Sequence, residues 1–148
     1  MATSLNTIIS EIKSTALANG FVSVEELKIN LKSNADTLLP KLFIRLLGVD
    51  YSDLLVSTAN EDYKIELIII IADSDNPVSD LKTLMDLLLN KMFTTNNLLS
   101  SMARSGKFNL INADLTNDRD LYAKLGGEGV TLRMDISNIN NFGGTPCQ

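Results

Sequence analysis

The chain has no histidine in its 148 residues. That removes the commonest general base and the commonest metal ligand together, so Ser-His-Asp and Cys-His chemistry are excluded. There is a single cysteine, Cys147. It can neither close an internal disulfide nor hold zinc alone, and it reads as a thiol in a reducing compartment. Positive charge is sparse and scattered. Thirteen Lys and Arg stand against 18 Asp and Glu, for a net charge of −5. A protein that coats nucleic acid needs clustered cations against phosphate, and none cluster here. No run approaches the ~20 apolar residues of a membrane helix. The start, Met1-Ala-Thr-Ser-Leu-Asn, lacks the basic and apolar regions of a secretory signal. These absences point to a soluble cytoplasmic protein without a membrane partner.

What is present is an ordinary globular composition, 45% apolar and 21% charged, in a length that fits one domain. The densest signal is Tyr63-Lys-Ile-Glu-Leu-Ile-Ile-Ile-Ile-Ala72. It alternates at first and is then apolar on both faces. β-Branched residues at that density favour a strand, because their stiff χ1 suits a pleated surface. Such a strand must be covered twice. A helix of the same chain can supply one cover, and the second hints at assembly.

Around it, Leu5, Ile8, Ile9, Ile12 and Ala16 have helical spacing, with Thr3 or Ser4 as cap and Asn19-Gly20 as stop. Ser23 and Glu26 have capping-box spacing, which predicts a short second helix through Leu31; a brief strand over Lys28–Lys32 is the alternative. Leu42, Ile44 and Leu46 alternate with Lys41, Phe43 and Arg45 in a strand that Gly48 stops. A polar connection follows from Val49 to Asp62, interrupted by the apolar patch Leu54-Leu55-Val56. Asn76 and Pro77 start a long helix whose stripe runs Val78, Leu81, Leu84, Met85, Leu88, Leu89, Met92 and Phe93. A short helix is expected over Leu98–Ser105 and strands over Lys107–Leu115 and Val130–Ser137, while Leu121–Leu125 is ambiguous. The polar, Gly-rich end, Asn140–Gln148, reads as loose. The order predicts an α+β protein: an antiparallel sheet of about four strands, helices mainly on one face, in a single domain over 1–148.

No motif carries chemistry. Asp73-x-Asp75-x-Pro77 begins like a calcium loop, but Val78 stands where glycine is needed and Leu84 where a bidentate glutamate is needed. Gly126-Gly127-Glu128-Gly129 lacks the Lys-Ser/Thr of a phosphate loop and precedes a strand, so it reads as an inter-strand loop. Asp114, Asp118, Asp120 and Glu128 are carboxylates on nearby connections, without the lysine a metal-dependent nuclease would place beside them. Lys64 and Glu66 read as a solvated strand edge, and Arg133 and Asp135 as a cross-strand or intersubunit ion pair. The reading is of a protein that is not an enzyme, with no cofactor and no metal.

Several phrases, in order, resemble tail terminator proteins of long-tailed bacteriophages, the tail completion or minor tail protein U-like family. Leu39-Pro40-Lys-Leu-Phe-Ile-Arg-Leu-Leu-Gly48-Val-Asp-Tyr51 is similar to that family's first strand and turn. Asp62–Ala72 resembles its long second strand, Ser79–Phe93 its crossing helix, Leu98–Gly106 its short helix and glycine stop, and Val130–Ser137 its final strand. The likeness spans roughly Pro40 to Ser137 and rests on the ensemble of segments. It implies a homo-hexameric ring in the virion, assembled in the host cytoplasm, at the head-proximal end of the tail. The implied partners are the major tail tube protein, whose polymerisation the ring halts, and a head-completion or connector protein. Genome DNA would pass the lumen without specific binding, with which the acidic charge is compatible.

A closed ring needs heterologous contacts, one surface fitting a different one on the neighbour. Phe43, Ile68 and Ile70 are the candidates for the sheet's second face, against a neighbour or the N-terminal helix. Leu54, Leu55 and Val56 are the next candidates. All six could equally be intrachain core. Another head–tail connector or virion adaptor is the runner-up function, ahead of a metal-dependent nuclease or ligand-binding domain.

Overall fold

The computed structural model describes residues 5–26, 39–52, 58–72, 75–94, 98–104, 108–114, 119–125 and 127–141. The fold is α+β, in the order α1 (Leu5–Leu17), β1 (Ser23–Glu26), β2 (Lys41–Ser52), β3 (Thr58–Ile71), α2 (Pro77–Thr94), α3 (Leu98–Arg104), β4 (Phe108–Asp114), α4 (Arg119–Leu125) and β5 (Glu128–Asn141). Five strands, one more than expected, make one sheet in the order β1-β2-β3-β5-β4. β1 runs parallel to β2, and every other pair is antiparallel.

β3 is the spine. It pairs with β2 on one side and with β5 on the other. Its odd residues Tyr63, Ile65, Leu67 and Ile69 join Leu42 and Ile44 of β2 and Val130, Leu132, Met134 and Ile136 of β5 on one face. Ile8, Ile12 and Ala16 of α1, Leu81, Leu88 and Met92 of α2, and Leu99 and Met102 of α3 close over that face. Removing each such large side chain from water stabilises the fold by about 1.5–3 kcal/mol. The helical stripes read from the sequence are the ones that pack. Val78 is the departure: it stands 61% exposed at the rim.

Four local expectations are corrected. Ser23–Glu26 is a strand rather than the start of a second helix, because its pairing with Lys41–Ile44 extends the sheet. β2 runs through Gly48 to Ser52, absorbing the glycine at a bulge between Leu46 and Gly48. β3 begins at Thr58, so most of the expected polar connection is ladder: Asp50 pairs with Asp62, and Ser52 with Asn60. β5 likewise continues past Ser137 to Asn141, into the end that reads as loose. At ~3.3 Å per residue β3 spans ~46 Å, whereas α2 at ~1.5 Å per residue spans ~27 Å. The helices therefore cover only part of the sheet's length.

The second face is closed by α4, the segment whose sequence is ambiguous. Tyr122 packs on Phe43, Ile68 and Ile70, with Leu39 and Leu121 beside them. The Tyr122 hydroxyl donates to the Asp114 carbonyl at 3.2 Å and shares a 2.6 Å hydrogen bond with Thr131 Oγ1, so its polar tip is satisfied while its ring is buried. The Gly127 N–H donates to the Tyr122 carbonyl at 3.1 Å and ends the helix.

The glycines here are packing devices. A Cβ at Gly127 would lie 1.9 Å from the Ile71 carbonyl oxygen, and one at Gly129 would lie 2.7 Å from both Ile70 Cδ1 and the Tyr122 ring. Only hydrogen at these positions lets α4 close on the sheet. Gly127→Ala should lower the urea unfolding midpoint by the equivalent of about 1–3 kcal/mol, since backbone must move. An unchanged midpoint would show that the loop is looser than this contact implies.

Candidate interaction surface

The sheet's second face is ordered in rows fixed by strand register. Next to the α4 contact, Arg45 of β2 stands opposite Glu66 of β3, which stands opposite Arg133 of β5, which stands opposite Asn112 of β4. Glu66, read from sequence as solvated, has a side chain only 3% exposed. Arg45 holds Glu66 Oε1 through Nε at 2.7 Å and through Nη2, while Arg133 Nε donates to Oε2 at 3.1 Å. Arg133 Nη1 also donates to Asn112 Oδ1 at 3.3 Å and lies 3.8 Å from Asp114 Oδ2. A carboxylate taken this far out of water costs several kcal/mol unless ionic partners and hydrogen bonds compensate, and two guanidiniums do. This row separates a dry half of the face from an open half.

In the open half the next row is Lys64 opposite Asp135, with Nζ 3.0 Å from Oδ1. That pair is the cross-strand reading for Asp135; Arg133 makes the other, with Glu66. The Lys64 pKa is raised above its ordinary 10.5 by the Asp135 hydrogen bond, against partial desolvation, with further help from the charges of Asp135, Asp50 and Asp62. Beyond it, Ser137 donates to Asp62 at 2.7 Å.

Two bulges flank this half. The extra residue of β2 is Leu47, and the extra residue of β4 is Ile111; both register shifts fall at the row of Ile65 and Met134. A bulge re-aims a side chain, and these two leave Leu47 53% and Ile111 54% exposed. They rim a shallow depression of about 430 Å³ whose lining also includes Gly48, Asp50, Lys64, Arg133 and Asp135. Apolar rims around a paired charge suit a protein partner that brings its own apolar and polar groups.

The sequence candidates are divided by the structure. Phe43, Ile68 and Ile70 do come together on the second face, but they are 2%, 0% and 0% exposed within one chain. The cover is α4, neither a neighbour nor the N-terminal helix, and that expectation is corrected. Leu54, Leu55 and Val56 lie outside the described residues. Sequence reasoning missed Leu47 and Ile111, although a signal exists: Leu46-Leu47 and Leu110-Ile111 are apolar doublets that break strand alternation, as bulges do.

Among the described residues, no three or more Asp, Glu, His or Cys side chains are placed to hold a metal, and no helix is long and apolar enough to cross a membrane. No protein-family model matches the chain, and no curated protein matches it.

Proposed function

We propose that this chain is a non-catalytic assembly protein of the tail-terminator kind. Copies join head to tail in a hexameric ring that caps the head-proximal end of a phage tail tube, stops its polymerisation, and presents a joining surface to the head. The observation that carries this reading is the open half of the second sheet face, with Leu47 and Ile111 exposed at matched bulges around Lys64–Asp135. The resemblance over Pro40 to Ser137 supports it: within that span two strands, a long helix, a short helix and a last strand follow one another in that order. The subunit contact is now assigned to this open half, since Phe43, Ile68 and Ile70 are used by α4. A net charge of −5 suits a ring whose lumen passes DNA without holding it.

Light scattering coupled to size exclusion tests the ring. The wild type should elute as a closed oligomer, and Leu47→Asp should remain folded with its melting temperature within about 2 °C. Its assembly should weaken roughly tenfold or more, the equivalent of about 1.4 kcal/mol per contact. A wild type that stays monomeric at every concentration and salt would sink the proposal. Added to polymerising tube protein, the ring should shorten the tubes; a connector or adaptor, the second reading, would leave tube length unchanged.

A further inference from the structure

The sheet has two ends, β1 and β4, and among the described residues each pairs on one side only. We infer that the outer edge of β4 pairs antiparallel with β1 of a second copy, so that the sheet continues from one subunit to the next. The inference rests on the ring reading and deepens it by adding, beside the contact at the open half of the face, a joint between strand edges.

Strand direction is the first argument. β1 is parallel to β2, and the three pairings from β2 through β3 and β5 to β4 are all antiparallel. β1 and β4 therefore run in opposite senses. A second copy placed in the same orientation brings its β1 against β4 as an antiparallel pair, the more stable arrangement per residue. Such a contact is heterologous and repeats, as a ring requires.

The second argument is what β4 lacks. Exposed edges are normally blunted by lysine, proline or inward charges. From Phe108 to Ala113 β4 carries no charge and no proline. Leu110, Ile111, Asn112 and Ala113 are all exposed. Beyond the bulge at Ile111 the strand is regular and about as short as β1, which has four residues. Charge then selects among pairings. β1 carries Glu25 and Glu26, held on their own subunit by Lys41 at 2.9 Å and Lys13 at 3.6 Å. Two β1 strands would set glutamates against glutamates, which is unfavourable. Two β4 strands would close a two-fold dimer and end assembly. β4 against β1 avoids both.

Backbone hydrogen exchange reads this joint directly. In the assembled protein, amides in both 108–114 and 23–26 should exchange roughly tenfold or more slowly than in the dissociated subunit. Ala113→Lys should keep its fold by circular dichroism and lose assembly. Protection of only one of the two segments, or of neither, in an assembled protein overturns the β4–β1 joint and leaves the ring standing. So does normal assembly of Ala113→Lys. A wild type that never assembles removes the ring and this joint together.

Discussion

Ile68→Asp should unfold the protein cooperatively instead of merely dissociating an assembly. Ile68 is 0% exposed, lies near the C-terminal end of the middle strand, and packs with Phe43, Ile70 and Tyr122 beneath α4. Aspartate there loses the apolar burial, and either its charge or the proton that neutralises it must be accommodated in a dry pocket. The expected loss exceeds about 4 kcal/mol, against a total of roughly 5–15 kcal/mol for a domain. Far-UV circular dichroism in urea should show a transition displaced far toward zero denaturant. The control Ile68→Val removes one methylene and should cost only about 1 kcal/mol. A folded Ile68→Asp subunit with a wild-type midpoint and lost assembly would reverse the assignment, making α4 an incidental cover and Ile68 an intersubunit contact.

The second large effect is expected at Glu66. Glu66→Ala leaves the Arg45 and Arg133 guanidiniums facing each other across the site of a buried carboxylate. Breaking a fully buried pair typically costs about 3–5 kcal/mol. Here the arginine side chains are 32% and 31% exposed, so water recovers part of that, and about 2–3 kcal/mol is expected after this screening. Glu66→Gln keeps an oxygen that still accepts from one arginine, and should cost about half as much. Urea midpoints of the two variants test this. A Glu66→Ala change below about 0.5 kcal/mol would place the trio with ordinary surface ion pairs, and the division of the face into dry and open halves would fail.

Much of the scaffold is legible in the sequence because its signals are local. Ile8, Ile12 and Ala16, or Leu81, Leu88 and Met92, recur at helical spacing and pack as that spacing implies. The alternation from Tyr63 and from Val130 likewise separates the two faces of β3 and β5. What is not legible is set by distant partners. Ser23 and Glu26 present the spacing of a helix cap, yet ladder bonding to β2 overrides that preference. Asp50, Asn60 and Asp62 look like loop residues and are strand residues only because β2, β3 and β5 register there. Glu66 alternates like any solvent-facing carboxylate, since the arginines that bury it come from positions 21 and 67 residues away. α4 is seven residues long, too short to show a period, so the second cover could not be foreseen. The candidate surface is hidden for the same reason: Leu47 and Ile111 become neighbours of one depression only when two bulges line up across the sheet.

The strand order also dictates a schedule for biosynthesis. β5 follows every other described strand in the chain, yet it lies between β3 and β4. Until it emerges, β3 has a bare backbone edge along Ile68–Ile71, and β4 has no neighbour in the sheet at all. At roughly 5–20 residues per second this interval lasts several seconds on the ribosome, during which the stickiest stretch of the protein is an open template for other chains. Completion of the subunit and protection from aggregation are thus the same event, the insertion of β5. Expression yield should track how fast that final strand is delivered.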